Sequence, residues 1–332
     1  MKALIYNPDD ELKLELQEIE KPKLTLTNAI IAVKGVGVCG SDLVKINQNL
    51  VSRGSILGHE MVGIIDEISD AMSKKYGFDQ GDRIVSSHHV PCLNCKFCLN
   101  QQESLCETFK KSNFFPGAFC EYLELSERHL QYTVQKVPDH LTNEEASFTE
   151  PLACCIKAIE RSGLKNYQGK AKVLVLGLGS IGLLIAQLVR FYRNDFQLNC
   201  FDIQDSRLKL AQLLDLDTCL DEDYDFVFLA AGAKASVDTA LKLASRGATI
   251  IVFASVNSDA VFNNNEIYYK ELTVLGSYSP NLTNLKEALD LISSKKILVD
   301  KLISHKANLE NLAEKILETK NQNGIKAYLS LI

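Results

Sequence analysis

The chain has 332 residues, of which 46% are hydrophobic and 23% are charged, and its formal net charge at pH 7 is −6. That length exceeds the span of a single hydrophobic core, so two globular domains are expected. The absence of a lysine- and arginine-rich block argues against a nucleic-acid or membrane-surface binder, which leaves small molecules as the expected partners. No apolar run is long enough for a secretion signal or a membrane span, which predicts a cytoplasmic protein.

The N-terminal part of the chain predicts a β-rich domain over residues 1–150. Short runs of β-branched and other apolar residues alternate there with glycines and polar turns, a pattern typical of short strands. The clearest of these runs cover residues 30–33, 62–68 and 119–125.

Beyond residue 150 the pattern changes to strands that alternate with helices, which predicts a doubly wound parallel sheet. The predicted strands cover residues 171–176, 196–201, 225–230 and 249–254. The predicted helices between them cover residues 183–193 and 205–214.

The C-terminal part predicts one more buried strand and a return to the first domain. The strand covers residues 272–276, an amphipathic helix follows at residues 284–293, and the terminal stretch 327–332 could rejoin the first sheet. The fold class is therefore α/β. We expect a cofactor domain, residues 151–277, to be inserted in a catalytic domain made of residues 1–150 and 278–332.

Four of the ten cysteines fall within one predicted loop, namely Cys92, Cys95, Cys98 and Cys106. A disulfide framework is not expected without an export signal, so metal binding is favoured over unpaired surface thiols. Two-residue gaps let successive thiolates turn back onto one ion, and four thiolates complete the closed tetrahedral shell of a structural zinc. An iron–sulfur cluster is the competing interpretation, and the longer spacing to Cys106 favours zinc.

A second set of candidate ligands is spread along the chain. Cys39 stands in the stretch GVCGSD, His59 and Glu60 follow a glycine, and Glu150 precedes Pro151. A lone histidine is more often structural, but Glu150 stands at the predicted domain junction, where substrate sites tend to form. A mixed set of sulfur, nitrogen and oxygen ligands with one open position is typical of catalytic zinc.

A glycine-rich turn follows the first strand of the predicted parallel sheet. It consists of Gly177, Leu178, Gly179, Ser180, Ile181 and Gly182, and it leads directly into a predicted helix. In this setting the glycines let the backbone approach a pyrophosphate at the helix N-terminus, which indicates a dinucleotide site. Asp202 ends the next strand, 20 residues past Gly182. A carboxylate there accepts hydrogen bonds from ribose hydroxyls and repels a 2′-phosphate, so NAD is predicted over NADP.

Together these motifs carry a family resemblance. GVGVCGSD, GHE, the four-cysteine loop, EPL and the glycine-rich turn occur in the order seen in zinc-containing medium-chain alcohol dehydrogenases. The resemblance covers essentially the whole chain and is strongest to the sorbitol, threonine and sugar dehydrogenase branch. It implies a GroES-like catalytic domain split by a Rossmann domain, and hydride transfer between NAD and a secondary alcohol. A polyol, sugar or polyol phosphate is the expected substrate, with threonine or a simple secondary alcohol as the alternative.

The resemblance also implies roles for single residues. The catalytic zinc is held by Cys39, His59 and one acid, which is either Glu60 or Glu150. Asp42 fixes the tautomer of His59 and Ser41 first receives the alcohol proton, although both could instead only stabilise a turn. The cofactor contacts implied are Arg207 beside the adenosine and, around the nicotinamide, the backbone of Phe253, Ala254, Ser255, Ser277 and Tyr278. A homodimer or homotetramer is expected from the same family.

Three positions depart from the family pattern. Val44 stands where many members carry a histidine for proton transfer, so the proton is expected to leave through water at Glu150 or a ribose hydroxyl. Lys45 and Ser279 replace a tyrosine and an arginine that are usual in sorbitol dehydrogenases. Lys45 and Arg53 suggest an anionic substrate such as a polyol phosphate or a sugar acid, because fixed cations favour such groups. Solvated loop charges are the alternative interpretation.

Two other functions are compatible with parts of the pattern. A zinc-free reductase of the same fold would keep the glycine-rich turn, and a non-enzymatic zinc-binding or regulatory protein would keep only the fold. The remaining thiols are assigned to packing, namely Cys120, Cys154, Cys155, Cys200 and Cys219. No role is assigned to His88, His89, His129, His140 and His305.

Overall fold

The computed structural model describes residues 1–255, 260–321 and 324–331, which form two compact units. The first unit contains Met1–Glu150, Asn281–Lys295 and Val299–Ile332, and the second contains Pro151–Pro280 and Lys296–Leu298. Ile332, the last residue of the predicted terminal strand, lies outside the described residues. Within the described ranges no helix is both long and apolar enough to cross a membrane.

The N-terminal part of the first unit consists of strands joined by short helices. Its strands are β1 (Lys2–Tyr6), β2 (Leu14–Glu18), β3 (Asn28–Gly37), β4 (Glu60–Ile68), β5 (Arg83–Val85), β6 (Tyr122–Ser126) and β7 (Gln135–Lys136). Its helices are α1 (Gly40–Asn47), α2 (Asp70–Tyr76), α3 (Lys96–Leu99), α4 (Glu107–Lys111), α5 (Glu127–Tyr132) and α6 (Asn143–Ala146).

Helices and strands alternate along the second unit. The helices are α7 (Thr149–Ser162), which starts at the end of the first unit, α8 (Ser180–Tyr192), α9 (Asp205–Leu213), α10 (Lys234–Leu243) and α11 (Asn264–Lys270). The strands are β8 (Lys172–Leu176), β9 (Gln197–Phe201), β10 (Tyr224–Leu229), β11 (Ala244–Val252) and β12 (Thr273–Gly276). The chain ends with α12 (Leu282–Ser293), β13 (His305–Ala307), α13 (Leu312–Asn321) and β14 (Ala327–Ser330).

The main sheet of the first unit is centred on β3, which is buried along most of its length. The strand order is β13-β14-β3-β4-β5-β7, with β6 also paired to β3, and β1 and β2 form a separate antiparallel pair. The terminal strand β14 pairs antiparallel with β3, so Tyr328 lies opposite Gly37. The phenol of Tyr328 covers Gly35 so closely that a Cβ there would lie 1.7 Å from its hydroxyl. Any larger residue at position 35 would therefore force the buried ring of Tyr328 to move.

The sheet of the second unit is parallel, in the order β12-β11-β10-β8-β9. Its inner strands are apolar because helices cover both faces of a sheet of this kind, and Leu174, Val227 and Ile250 are fully buried. The helix α8 carries a continuous buried run from Gly182 to Val189. The predicted α/β class, with a parallel-sheet domain and a β-rich domain, is confirmed.

Three local predictions are wrong. The predicted strand 119–125 is shorter in the structure, since β6 begins at Tyr122 and Cys120 forms only an isolated antiparallel bridge to Ala3. The strand predicted as buried at residues 272–276 is the edge strand β12, whose Thr273 and Gly276 are exposed. Among the cysteines assigned to packing, Cys219 is exposed and Cys154 is only partly buried.

Candidate functional site

The candidate metal centre lies where two antiparallel strands meet. Cys39 follows the end of β3, while His59 and Glu60 stand at the start of β4. The pairing places Gly37 opposite Glu60, so the end of one strand is beside the beginning of the other. The ligand atoms of Cys39, His59 and Glu60 all lie within 4.8 Å of one another. The fold therefore brings the sulfur of Cys39 close to an imidazole and a carboxylate that follow it by 20 and 21 residues in the sequence.

Asp42 supports this group from the first turn of α1. Its Oδ1 lies 3.4 Å from Nδ1 of His59, and its Oδ2 accepts a hydrogen bond of 3.3 Å from the backbone N–H of Cys39. Asp42 is completely buried. Burial works to raise the pKa of its carboxyl, but the positive charges of His59 and Lys45 lower the pKa overall. An ionised Asp42 orients the ring of His59 so that the other ring nitrogen is free for a ligand.

The charges around His59 favour a cation. Burial works to lower the pKa of His59, yet the carboxylate of Asp42 and the thiolate of Cys39 raise it well above its ordinary value. A site in which anionic groups surround a buried imidazole stabilises any positive charge placed among them. The donor set fits a zinc ion, which prefers sulfur, nitrogen and carboxylate ligands.

A buried lysine, Lys326, completes the centre, and sequence reasoning missed it. Its Nζ lies 2.5 Å from Oε2 of Glu60 and donates a hydrogen bond of 3.2 Å to the carbonyl of Val38. Burial works to lower the pKa of Lys326, but the charges of Glu60, Cys39 and Glu150 raise it. Gly37 makes this approach possible, because a Cβ there would lie 2.1 Å from Oε2 of Glu60. The feature of the sequence that could have indicated this residue is a lysine at the start of an apolar terminal strand.

The two acids proposed as the third ligand lie in different positions. Glu60 belongs to the three-residue group. Within the part of the chain that the structure describes, Glu150 does not belong to that group. Glu150 is buried near the start of α7, and its charge acts on Lys326. The geometry therefore favours Glu60 as the ligand and leaves Glu150 nearby in the same unit.

Two adjacent histidines that had no assigned role extend the centre. The ring centroid of His88 lies 4.6 Å from that of His59, and His89 follows at 3.8 Å from His88. Burial lowers the pKa of His88 well below its ordinary value, and the positive charge of His59 adds to the effect. A neutral His88 packs against the ring of His59 and restricts its orientation. The feature of the sequence that could have indicated these residues is the pair of adjacent histidines just before the cysteine loop.

The four-cysteine loop forms a second candidate metal centre. The sulfur atoms of Cys92, Cys95, Cys98 and Cys106 lie within 4.8 Å of one another. The loop is more ordered than expected, since α3 and α4 begin directly after Cys95 and Cys106. Burial works to raise the pKa of Cys106, but N–H groups of Cys92 and Phe109 hold it at about 6. The four thiols fit a closed tetrahedral metal shell.

The glycine-rich turn between β8 and α8 has the shape that a dinucleotide needs. Gly177 has a φ of +94°, a left-handed conformation that favours glycine. A Cβ on Gly182 would lie 1.8 Å from the carbonyl oxygen of Gly177, so only glycine lets helix and strand pack. At Gly179, the residue before α8, a Cβ would meet nothing within 4 Å. Open space before a helix N-terminus, where Ser180 and Ile181 begin α8, fits a bound pyrophosphate.

Two substitutions separate folding from binding at this turn. Gly182→Ala forces its methyl group against a backbone carbonyl, so we expect a loss of about 3 kcal/mol in the free energy of unfolding. Gly179→Val points into open space and leaves folding unchanged, but it fills the pyrophosphate position and raises the Kd for NAD at least about tenfold. Denaturation and calorimetry measure the two effects. Tight NAD binding by Gly179→Val would contradict the assignment.

Asp202 is held rigidly at the end of β9. Its Oδ2 accepts a hydrogen bond of 2.7 Å from the N–H of Leu178, and its Oδ1 accepts one of 2.9 Å from Gln204. Nη1 of Arg207 lies 3.3 Å from Oδ2. Arg207 therefore lies beside Asp202, and its contact with the adenosine stays a prediction. The carboxylate stands beside the glycine-rich turn, where a ribose would follow a pyrophosphate.

The other predicted cofactor residues follow the carboxyl ends of β11 and β12. The N–H groups of Phe253 and Ala254 both donate to the carbonyl of Leu229 at 3.1 Å, and Ser255 follows them. Ser277 is buried and bonds through its N–H to Val252 at 3.1 Å, while Tyr278 is exposed. These segments lie at one edge of the same parallel sheet.

The remaining predicted residues lie on or near α1. Ser41 is exposed in the first turn of the helix, and Val44 is partly buried. Lys45 is partly buried, and its ammonium has no hydrogen bond or ion pair with the described residues. Arg53, in contrast, contacts Asp9 and donates a hydrogen bond of 2.6 Å to Asn7. Arg53 is therefore a paired surface charge, and the predicted pair of substrate-binding cations reduces to Lys45.

Two family models match the chain. The alcohol dehydrogenase GroES-like domain matches residues 26–139, and the zinc-binding dehydrogenase model matches residues 180–294. The chain is 28% identical over 355 residues to the sorbitol dehydrogenase of Halalkalibacterium halodurans, with 100% of each chain covered. It is 28% identical over 312 residues to the D-altritol 5-dehydrogenase of Agrobacterium fabrum, with 90% of each covered. Galactitol-1-phosphate dehydrogenase from Escherichia coli has the same fold, with a TM-score of 0.83, 22% identity and 100% of each chain covered.

Proposed function

We propose that this chain interconverts a polyol and its ketose with NAD. The premise is that it belongs to the zinc-containing medium-chain alcohol dehydrogenase family and to its sorbitol-dehydrogenase-like branch. The observation that carries the proposal is the group of partly buried Cys39 with buried His59 and Glu60, whose surroundings favour a cation. When bound, zinc at that group would supply Lewis-acid polarisation of the substrate oxygen, and NAD would supply the hydride acceptor or donor.

The chain's own residues have separate tasks in this proposal. Cys39, His59 and Glu60 hold the catalytic metal, and Asp42 orients His59. The four thiols of the cysteine loop hold a structural zinc that keeps the loop folded. Their closed arrangement leaves no position for a substrate.

Proton transfer is proposed to begin at Ser41. Its hydroxyl is exposed on the first turn of α1, two residues after Cys39, so it can accept a proton from a substrate hydroxyl near the metal centre. Val44 offers no onward route, since an isopropyl group cannot carry a proton. The buried carboxyl of Glu150 and a water molecule remain the proposed exit.

The cofactor preference rests on Asp202. Its carboxylate is buried, fixed by two backbone N–H groups and close to the glycine-rich turn. A fixed negative charge accepts hydrogen bonds from two ribose hydroxyls and repels a phosphate at the same position. Arg207 neutralises part of that charge, but Asp202 occupies the acceptor position. NAD is therefore the proposed cofactor over NADP.

Lys45 supports an anionic substrate within the polyol class. It is one helical turn past Ser41, and its positive charge helps to lower the pKa of Asp42. Burial lowers the pKa of His89 to about 4, and the charge of Lys45 adds to this effect. The ammonium therefore acts on the metal centre while it makes no hydrogen bond or ion pair with any residue that the structure describes. A partly buried cation of this kind, near a metal that binds hydroxyl groups, favours a substrate with a phosphate or carboxylate group.

An NAD-coupled screen of polyols, polyol phosphates, aldonic acids and threonine, with zinc measured on the same sample, tests the function. We expect activity with zinc-loaded protein and preference for an anionic polyol. Absence of both zinc and NAD reduction would contradict the proposal and favour a zinc-free or non-enzymatic protein.

Lys45→Ala should raise the KM for the anionic polyol about 10- to 100-fold, because a charge-assisted hydrogen bond is lost. The KM for the uncharged polyol should stay unchanged. Arg53→Ala is the matched control, since Arg53 is already paired with Asp9. Equal effects of Lys45→Ala on both substrates would remove the anionic group from the proposal. A cytoplasmic location and a homo-oligomer stay predictions.

A further inference from the structure

Two cations on α7 hold the last residue of β12 and the segment that follows it. Nζ of Lys157 donates a hydrogen bond of 3.1 Å to the carbonyl of Tyr278, and Nε of Arg161 donates one of 2.9 Å to the carbonyl of Gly276. The two residues are one helical turn apart, so both reach the same short segment. They differ in burial, since Lys157 is 2% exposed and Arg161 is on the surface.

The segment lies at the end of the sheet where the second half of a dinucleotide would bind. In a doubly wound sheet each mononucleotide half occupies the carboxyl ends of its own strands. The glycine-rich turn after β8 and Asp202 after β9 define the adenosine half. The carboxyl ends of β10, β11 and β12 are therefore left for the nicotinamide half, and Ser277 and Tyr278 directly follow β12.

Ser277 gives an independent indication that this segment takes a polar partner. It is 8% exposed, and its Oγ has no hydrogen-bond partner among the described residues. An unsatisfied buried hydroxyl is costly, so such groups persist where a ligand or water supplies the missing bond. The segment is thus both fixed by Lys157 and incomplete by itself.

We propose that Lys157 is a positioning residue that also sets the balance between the two redox states of the cofactor. Its ammonium fixes the 277–278 segment and places a buried positive charge beside the nicotinamide half. The oxidised nicotinamide ring is positively charged and the reduced ring is neutral. A fixed cation nearby, in a region of low dielectric constant, disfavours the oxidised form relative to the reduced form. The inference rests on the proposed use of NAD.

The test compares the Kd values for NAD⁺ and NADH in the zinc-loaded protein, measured by calorimetry. In Lys157→Met we expect the ratio of the Kd for NAD⁺ to the Kd for NADH to fall about tenfold, because the charge that is removed repels only the oxidised ring. Lys157→Arg should keep the wild-type ratio. Lys157→Gln, which removes the charge but keeps a donor, should behave like Lys157→Met, and it serves if the methionine variant does not fold.

Arg161→Met is the matched control for a purely structural role. It releases the carbonyl of Gly276 but leaves the buried charge in place, so it should weaken both cofactor forms equally. Equal weakening in Lys157→Met and Lys157→Gln would overturn the inference while leaving the proposed function intact. A wild-type protein that binds neither form would overturn both.

Discussion

Cys39→Ala is expected to lower kcat/KM by about 1,000-fold or more and to reduce the zinc content from two ions to one per chain. The substitution removes the thiolate from a three-residue group in which each ligand atom lies within 4.8 Å of the others. Two remaining protein ligands hold a catalytic metal weakly. The loss of its charge stabilisation, several kcal/mol in the transition state, corresponds to a rate effect of this size. Elemental analysis and steady-state kinetics on one preparation measure both quantities.

Cys120→Ala provides the matched control for this substitution. Cys120 is fully buried in the same unit, and its sulfur contacts the carbonyls of Gly117 and Tyr122 rather than the metal centre. This variant should lose some stability but keep two zinc ions and the wild-type kcat. If Cys39→Ala instead retained both ions and full activity, the group at the start of β4 would not be the catalytic centre.

Lys326→Met is expected to lower the free energy of unfolding by about 3–5 kcal/mol in the metal-free protein, because it leaves the carboxylate of Glu60 buried without its partner. Nζ of Lys326 and Oε2 of Glu60 are 2.5 Å apart, and both side chains are at most 3% exposed. The cost should be smaller in zinc-loaded protein, where a metal ion would compensate the carboxylate. Chemical denaturation of variant and wild type, each with and without zinc, measures the difference.

The double variant Glu60→Gln/Lys326→Met separates pairing from packing. Removing both charges should recover much of the stability lost in Lys326→Met, since no uncompensated charge remains. Lys326→Arg should retain most of the wild-type stability, because the guanidinium can still reach Glu60. A cost below about 1 kcal/mol for Lys326→Met would mean that the pair is no more than a surface-like contact.

The local motifs could be predicted from the sequence because each depends on residues that are close along the chain. The spacing of Cys92, Cys95, Cys98 and Cys106 lets nearby thiols converge, and the structure places their sulfur atoms together. The glycine-rich turn likewise depends on one strand, one turn and one helix, and the contacts of Gly182 supply its reason. The alternation of strands and helices predicted the parallel sheet for the same reason, because it too depends on residues that are close along the chain.

The contacts around the catalytic centre could not be predicted, because they join residues that are far apart in the sequence. Lys326 reaches Glu60 only because β14 returns to pair with β3. The pairing of Arg53 with Asp9 depends on contacts across the first unit, and it removed one of the two expected substrate cations. The exposure of β12 likewise depends on its position at the sheet edge, which its apolar composition does not reveal.

The sequence by itself predicted the α/β class, the four-cysteine metal site and the dinucleotide turn, since the types and spacings of neighbouring residues are sufficient for each. The ligands of the catalytic zinc were implied by the family resemblance of the motifs. Only the tertiary structure decided which acid stands beside Cys39 and His59, which lysine balances it, and which cation is free for a substrate. Burial and charge pairing are properties of the folded chain, because strand pairing brings distant residues within a few ångströms and removes water from between them.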